Sequence, residues 1–438
     1  MNRRKIGILF MAALMMVTVF CSLPTMAAKE QKKAVLRMSW WGGDARHKAI
    51  LASVKQFMKE NPNIEIETEY SALAQYKDKF MTQLYSGSTA DIVAIDQPWV
   101  ADIVARGDFF LDLSKYSRYI NIGSFDSFLV NNYCKVNGKP YFVPAGINGM
   151  GSLVDAEALA KFGFDPKVKQ FTWDDMIALG EKVHSANPNN YLCVIESKQA
   201  GLYFARVYLR QLTGKQLIND DGSMGCTRDQ LAQSLGLIDT LYKKSIFQPI
   251  SEHSVFNGSM LQNPKWINGQ MFMVLGRTSV MTDPSARLPK NGKPRTTNFL
   301  MPKLKNAKES GIEVRPAAMF AISKNTKSPE AAVKFLNYLF TDKESVITLK
   351  DNYSVPARKA SRTITADILD PAAVANANYS LANPGSTLNG YSSSPEVESL
   401  FTEVMEKIAF GQYKNMNQAA DEVISRIKDI VAYSKQKK

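Results

Sequence analysis

The side chains best suited to hold a ligand follow two predicted strands near the start of the chain. A strand at residues 35–40 leads into residues 41–47, and a buried strand at residues 91–95 leads into residues 96–99. In open α/β sheets, ligands bind beyond the carboxyl ends of the strands. These two stretches supply aromatic rings, an arginine, a carboxylate and an amide, which can stack on a ligand and hydrogen-bond to it. The pattern therefore predicts a binding cleft at this edge of a sheet.

The elements that position these residues alternate between strand and helix. Asp44 is predicted to cap a helix that ends at Asn61 and Pro62. Residues 64–70 alternate between apolar and acidic side chains, which is typical of a half-exposed strand. The helix carries one apolar stripe, formed by Ile50, Leu51, Val54, Phe57 and Met58.

The rest of the chain predicts two α/β lobes, because about 410 mature residues exceed what one core usually supports. We expect the chain to leave the first lobe near residues 141–154 and to cross back near residues 283–295. A further buried strand at residues 317–323 ends the second visit to the first lobe. The predicted division is residues 29–145 with 297–323 for the N-terminal lobe, and residues 146–296 with 324–438 for the C-terminal lobe.

The chain begins with the pattern of a secretory signal peptide at residues 1–28. A short basic segment precedes an apolar run at residues 6–20, and small residues follow at the predicted cleavage site. The run is shorter than the roughly 20 residues that a spanning helix needs. Lipid attachment at Cys21 is disfavoured because Phe20 precedes it. Removal of this segment lowers the formal net charge from +13 to +10, and the predicted product is periplasmic or lies on the outer face of the cytoplasmic membrane.

Cysteine usage leaves two alternatives open. Cys134, Cys193 and Cys226 remain in the mature chain. They allow at most one disulfide, or they act as buried thiols.

Motifs of common enzymes are missing from the sequence. It contains no nucleophile elbow, zinc-protease helix or phosphate loop, and His47, His184 and His253 are too scattered to suggest a metal site. Carboxylates are plentiful, so a secreted glycosidase or lyase remains the alternative. Lysines spread over helix faces disfavour nucleic acid. We therefore expect a binding protein that needs no cofactor.

Six stretches together resemble family 1 extracellular solute-binding proteins, the sugar receptors of ABC importers related to maltose-binding protein. The resemblance implies a two-lobed periplasmic binding protein fold of type II, with mixed, mainly parallel sheets and hinged crossover strands. It also implies an oligosaccharide ligand and a membrane permease as partner. The stretches are SWWGGDARHKAILASVKQFMKENPNIEIETEY, YKDKFMTQLYSGSTADIVAID, GKPYFVPAGINGMGSLVDAEAL, FTWDDMIALGEKV, WINGQMFMVLGR and SKNTKSPEAAVKFLNYLFTDKES.

Two departures from the family pattern bear on the ligand. Ala90 stands where the family commonly has proline, which is a conservative change for a loop. Arg277 follows Gly276 where the family commonly has tryptophan, which exchanges a sugar-stacking ring for a fixed cation and implies an anionic ligand. The WWGG motif followed by Arg46 and His47 is similar to that of receptors for pectic oligosaccharides, including oligogalacturonides.

The first half of the chain supplies seven of the predicted ligand contacts. Trp41 is predicted to stack on a sugar, with core packing as the alternative, whereas Trp40 is expected to be core. Trp99 fits either role, with burial against Phe109 as its alternative. Arg46 is the preferred partner of a carboxylate, with a solvated helix end as the alternative. The remaining polar contacts in this half are His47, Asp96, Gln97 and Asn148.

The second half of the chain supplies three more predicted contacts. Arg277 is predicted to bind an anionic group. Tyr353 and Tyr391 lie in loops where the family places aromatic side chains. Trp173 and Trp266 are expected to be core.

Overall fold

The protein is described here by a computed structural model covering residues 33–165, 167, 171–281, 286, 297–299 and 301–436. The predicted signal peptide and Cys21 lie outside these residues. So does the predicted return crossing at residues 283–295, apart from Ala286.

The strands form three sheets and one short hairpin. Their bounds are β1 Ala34–Trp41, β2 Ile64–Ser71, β3 Ile92–Ile95, β4 Lys135–Val136, β5 Lys139–Pro140, β6 Val143–Pro144, β7 Gly146–Asn148, β8 Met150–Val154, β9 Tyr191–Cys193, β10 Met271–Arg277, β11 Thr297–Phe299, β12 Arg315–Pro316, β13 Met319–Ile322 and β14 Val355–Pro356.

Helices surround these sheets. Their bounds are α1 Asp44–Glu60, α2 Leu73–Tyr85, α3 Val100–Arg106, α4 Ser127–Tyr133, α5 Ala156–Ala160, α6 Trp173–Ala186, α7 Ser197–Gln199, α8 Arg206–Thr213, α9 Arg228–Lys243, α10 Ile250–His253, α11 Pro264–Ile267, α12 Thr278–Met281, α13 Pro329–Thr341, α14 Lys343–Leu349, α15 Lys359–Ile364, α16 Pro371–Ala382, α17 Pro395–Ala409 and α18 Met416–Gln436. A π-helical turn, Ala200–Ala205, joins α7 to α8.

The first sheet has the strand order β2-β1-β3-β13-β6. Strand β1 runs parallel to β2 and β3, and β13 runs antiparallel to β3 and β6. Its β1 strand has an unbroken buried stripe, because Leu36, Met38 and Trp40 are each fully buried. The prediction that Trp40 belongs to the core is confirmed.

The second sheet has the order β11-β8-β10-β9, and a three-stranded sheet with the order β12-β7-β14 lies between the two in the chain path. Strands β6, β7 and β8 are consecutive in sequence but belong to three different sheets. The chain therefore leaves the first sheet within residues 143–154, where the sequence predicted a crossing. Both larger sheets are mixed, and in the second sheet only β9 and β10 pair in parallel.

Helix ends follow the sequence signals with one exception. Thr172 and Asp175 form a capping box at the start of α6, as predicted. The prediction of Asp44 as an N-cap is wrong, because α1 already includes Asp44 and its N-cap is Gly43. Asp44 instead lies in the first turn, where its carboxylate interacts favourably with the positive end of the helix dipole.

Packing around residues 297–349 differs from the predicted lobe division. Strand β11 pairs with β8 and so joins the second sheet, although the sequence assigned it to the first lobe. Helices α13 and α14 were assigned to the second lobe, but they pack on α1. The rings of Phe335 and Phe57 lie 5.0 Å apart, and Ser345 Oγ lies 3.2 Å from Ser53 Oγ. The physical reason is connection length: α13 begins a few residues after β13, and this short connection keeps it beside the first sheet.

Candidate ligand-binding site

An aromatic cluster lies at the carboxyl ends of β1 and β3. We define it as Trp41, Tyr76, Phe80 and Trp99. Trp41 lies 5.4 Å from Trp99 and 5.5 Å from Tyr76, measured between ring centroids, and Trp99 stacks on Phe80 at 6.0 Å. Trp41 and Trp99 are only 8% and 7% exposed. The two predicted tryptophans therefore lie together, and their neighbours are Tyr76 and Phe80, whereas Phe109 packs on Tyr85.

Tyr76 fixes the aromatic cluster to the sheet. Its hydroxyl donates to the carbonyl oxygen of Ala94 at 2.9 Å and accepts from the Ala94 N–H at 3.1 Å. It also lies 3.3 Å from the hydroxyl of Ser39. Burial raises the pKa of the Tyr76 hydroxyl well above its usual value. The cluster is therefore neutral, almost fully buried and hydrogen-bonded to the sheet through Tyr76.

His47 lies on the other face of β1. Trp40 Nε1 donates to His47 Nδ1 at 3.1 Å, and the imidazole lies 4.4 Å from the ring of Tyr70. Because Nδ1 accepts, a neutral His47 carries its proton on Nε2. The imidazole is thus held against Trp40 and Tyr70, and the structure does not bring it into the aromatic cluster.

Arg46, in the first turn of α1, connects the end of β1 to the loop before β14. Its Nε donates to the carbonyl oxygen of Asn352 at 2.7 Å, and Nη1 donates to that of Trp41 at 3.1 Å. The guanidinium also lies 4.4 Å from the ring centroid of Tyr353. Tyr353 is buried, and its hydroxyl has no hydrogen-bond partner among the described residues. Arg46, which was predicted to bind a carboxylate of the ligand, thus already donates to two backbone carbonyls.

A chain of alternating charges leads from the first sheet to the second. We define the charged chain as Asp96, Arg315, Glu313 and Arg277. Arg315 Nη1 lies 3.9 Å from Asp96 Oδ1, and Arg277 Nη2 donates to Glu313 Oε1 at 2.9 Å. The guanidinium of Arg277 also lies 5.9 Å from the ring of Tyr203. Arg277, predicted as an anion receptor, therefore already holds an anion of its own chain.

Electrostatics around Glu313 are dominated by cations. Burial alone would raise its pKa, but Arg277, Arg315, Arg206 and Arg210 outweigh that effect and lower the pKa to about 2. Burial lowers the pKa of Arg206 to about 10. Glu313 is therefore ionised at neutral pH and sits in a strongly positive environment.

Arg206 and Arg210 are positioned by α8 and are almost fully buried. Arg206 Nη2 donates to the carbonyl oxygen of Ser392 at 2.6 Å. Arg210 pairs with Glu309, with Nε and Oε1 2.7 Å apart. The sequence alone does not fix the direction of Arg206, because that direction depends on the rotation of α8, and the structure turns the side chain inwards.

The remaining predicted residues lie at several points around the charged chain. Asn148 stands opposite Arg315 in the register of β7 and β12, and its Oδ1 accepts from the Ser279 N–H at 3.2 Å. The Gln97 N–H donates to Asp96 Oδ1, which begins the turn before α3. Tyr391 is half-buried, and it follows Gly390, where a Cβ would lie 3.4 Å from Ala101 of α3.

Sequence reasoning missed Glu313 and Arg315. Residues 313–315 read Glu-Val-Arg, and opposite charges two residues apart just before a short strand were a signal that was available. The pattern looks like an ordinary exposed strand edge until Arg277, 36 residues earlier, is known to lie beside Glu313.

Other groups within the described part of the chain have structural roles. Trp173 and Trp266 are buried, as predicted. Cys134, Cys193 and Cys226 are free thiols. Among the residues that the structure covers, no group of three or more histidines, cysteines or carboxylates could hold a metal ion, and no helix has the length and apolar character needed to cross a bilayer.

Comparison with known proteins decides the family. The model of a family described as bacterial extracellular solute-binding protein matches residues 52–376. The chain belongs to this family. Among curated relatives of this solute-binding protein is a Brucella abortus (strain 2308) protein described only as a binding protein, with 22% identity over 200 residues. That alignment covers 44% of this chain and 46% of the relative, so the match spans about half the length of the curated protein.

Solved structures of solute-binding proteins resemble this one over nearly the whole described chain. A periplasmic solute-binding protein from Pectobacterium atrosepticum shares 26% identity, with 91% of this chain and 99% of that chain covered and a TM-score of 0.82. An oligogalacturonide-binding protein from Yersinia enterocolitica, solved with saturated digalacturonic acid, shares 25% identity, covers 92% and 99%, and has a TM-score of 0.79. The predicted two-lobed α/β fold is confirmed, and the family and these neighbours are substrate-binding proteins.

Proposed function

We propose that this chain is the extracytoplasmic substrate-binding subunit of an ABC importer that captures an acidic, pectin-derived oligosaccharide. The observation that carries the proposal is the set of four largely buried arginines around Glu313, namely Arg277 and Arg315 of the charged chain together with Arg206 and Arg210. The likeness to the Yersinia oligogalacturonide-binding protein supports the same ligand class. A uronic acid unit has an apolar sugar face and one carboxylate, so it needs a ring surface and a cation.

The two lobes would divide the work of recognition. We assign residues 33–144, 317–354 and 357–364 to the first lobe, which carries the aromatic cluster, because these residues contain the first sheet and the helices packed beside it. The second lobe would comprise the second sheet with α16, α17 and α18. Strands β7, β12 and β14 would form the hinge. Ligand contacts from both lobes would favour the closed form that the permease recognises.

The contacts proposed for the ligand combine both ends of the site. Edges of Trp41 and Trp99 would meet the apolar face of the sugar, with Tyr391 contributing from the facing loop. Asp96, Gln97 and Asn148 would hydrogen-bond to hydroxyl groups. Arg46, His47, Arg277 and Tyr353 would support these contacts by fixing the loops that carry them.

Localisation and partners follow from the same proposal. The chain would be exported through residues 1–28 and act as a monomer in the periplasm or on the outer face of the membrane. It would deliver its sugar to membrane permease subunits. No catalytic step is required of it.

Isothermal titration calorimetry of the mature chain with a panel of neutral and acidic oligosaccharides tests this function. We expect heat with oligogalacturonides and an affinity on the order of micromolar, about 8 kcal/mol. Absence of heat with every saccharide would contradict the proposal. The enzyme alternative predicts instead that reducing ends are released from a polysaccharide, and a reducing-sugar assay with polygalacturonic acid checks it directly.

A further inference from the structure

We propose that Arg315, on the crossover strand β12, is the residue that receives the carboxylate of the bound sugar. This inference rests on the proposed function and makes it more specific. It replaces Arg46 and Arg277, the two arginines that the sequence favoured for that role.

Arg315 stands where both lobes meet. It lies opposite Asn148 in the short sheet between the two larger ones. Its guanidinium is within 4 Å of Asp96, at the carboxyl end of β3, and Glu313 two residues earlier is held by Arg277 of β10. A group bound at Arg315 is therefore adjacent to both of the larger sheets.

Arg315 also has hydrogen-bonding capacity that nothing fills. The Nη1 atom lies 3.9 Å from Asp96 Oδ1, which is too far for a hydrogen bond. Within the described residues its guanidinium makes no hydrogen bond, and its Nε is buried without a partner. The side chain is 20% exposed. Because Nε is buried, the exposed part of the side chain belongs to its other atoms, and a guanidinium is a planar fork suited to a carboxylate.

The two competing arginines are already occupied. Arg46 donates to two backbone carbonyls, at 2.7 and 3.1 Å. Arg277 is paired with Glu313 at 2.9 Å, and its unpartnered Nη1 is buried, so a ligand cannot reach that atom without displacing protein. A carboxylate of the ligand would have to break existing hydrogen bonds at Arg46 or Arg277. At Arg315 it would accept from N–H groups that have no acceptor.

Charge balance at this place favours one added anion. The cations are Arg206, Arg210, Arg277, Arg315 and Lys198, and the acids beside them are Glu309, Glu313, Asp96 and Glu398, the last of which pairs with Lys198 and also acts on Arg206. One positive charge is left without a partner. An unpaired charge in a poorly hydrated site is costly, so a single carboxylate of the ligand would be bound favourably.

The test is calorimetry on the full mature chain with two probes, digalacturonic acid and its dimethyl ester, which keeps the sugar frame and removes the charge. We expect Arg315→Gln to weaken binding of the acid about 10–150-fold, the range for hydrogen bonds to charged groups. Binding of the ester should change less than about twofold. Arg315→Lys keeps the charge without the fork and should give an intermediate loss for the acid.

The matched control is Arg106→Gln, which removes an exposed arginine paired with Asp102 on α3. It should leave both affinities unchanged. Thermal melting of each variant shows whether it is folded, and Arg315→Lys provides a second reading if Arg315→Gln does not fold.

Several results would overturn the inference. Equal weakening of acid and ester by Arg315→Gln, or no weakening of the acid, would contradict it while leaving sugar binding established by the parent chain. A parent that binds the ester but not the acid would also contradict it and leave oligosaccharide capture standing. A parent that binds no saccharide would reject the proposed function itself.

Discussion

The aromatic cluster and the charged chain lie at the two ends of one candidate site, but they are built in opposite ways. In the cluster, Trp41 and Trp99 pack on Tyr76 and Phe80, and the Tyr76 hydroxyl is bonded to the sheet. In the charged chain, the guanidinium of Arg315 makes no hydrogen bond to a described residue, and Arg277 has a buried side-chain nitrogen without a partner.

The difference indicates which end of the candidate site has hydrogen-bonding groups left for a ligand. A fully packed apolar cluster could offer a sugar stacking contacts only, and stacking does not distinguish one charge state from another. An incompletely paired cation in a buried setting discriminates strongly, because its bonds strengthen away from water. Selectivity should therefore depend on the crossover segment, and general affinity on the aromatic cluster.

The largest expected effect comes from replacing Glu313, the acid of the charged chain that has both Arg277 and Arg315 as neighbours. Glu313→Gln leaves Arg277 buried without a counter-ion and removes the negative neighbour of Arg315. Loss of one partner of a buried pair costs about 3–5 kcal/mol, so urea unfolding at neutral pH should show a destabilisation of that size. The matched variant Glu403→Gln alters an exposed network with Lys407 and Arg426, and it should cost less than about 1 kcal/mol.

Lowering the pH should reduce the stability difference between the parent chain and Glu313→Gln. The pKa of Glu313 is lowered to about 2 from an ordinary value of 4.5. Its contribution to stability is fully present above pH 4.5 and is lost as the pH falls towards 2, about 3 kcal/mol in all. The stability gap between the parent and Glu313→Gln should thus narrow over this range in urea titrations. His253, whose pKa is lowered to about 4 by burial, is common to both chains and cancels. A gap that stays constant from pH 5 to pH 2.5 would contradict the assignment.

At the aromatic end, Tyr76→Phe removes the hydroxyl that fixes the cluster while keeping the ring. The buried N–H and carbonyl of Ala94 lose a partner, so we expect a destabilisation of about 1–3 kcal/mol by chemical denaturation. Because charge is unaffected, the ratio of affinities for acid and ester should stay the same. A change in that ratio would mean that the cluster takes part in charge selection.

The smallest expected effect is that of Arg46→Lys. The substitution keeps a cation over Tyr353 but loses the fork that reaches Asn352 and Trp41, which should cost about 1 kcal/mol in unfolding experiments. We expect no preferential loss of acid binding. A selective loss of the acid would restore Arg46 to the role that the sequence suggested.

Much of the fold was readable from the sequence because its signals are local. The Thr172 capping box was confirmed, and Ile50, Val54 and Phe57 of the predicted α1 stripe are buried. In β2, Ile64 and Ile66 are buried as the alternation predicted, whereas Tyr70 is exposed. The sequence assigned the helices after β13 to the second lobe, whereas they pack on α1. An apolar face shows that a helix packs, but it does not show on which element.

The site was less predictable, since its key contacts join distant parts of the chain. Arg46 meets Asn352, which is 306 residues away, and Arg277 meets Glu313, which is 36 residues away. Residue type indicated that Arg46 and Arg277 could bind an anion. Whether either was already paired depended on tertiary neighbours that no local pattern specifies, and the same holds for the unpaired state of Arg315.

Small-angle scattering of the mature chain, with and without saturating digalacturonic acid, tests most directly whether two lobes close on a saccharide. We predict a smaller radius of gyration when the sugar is bound, reversed when it is dialysed away. Identical scattering curves under conditions where calorimetry shows saturation would contradict closure of the lobes on the ligand.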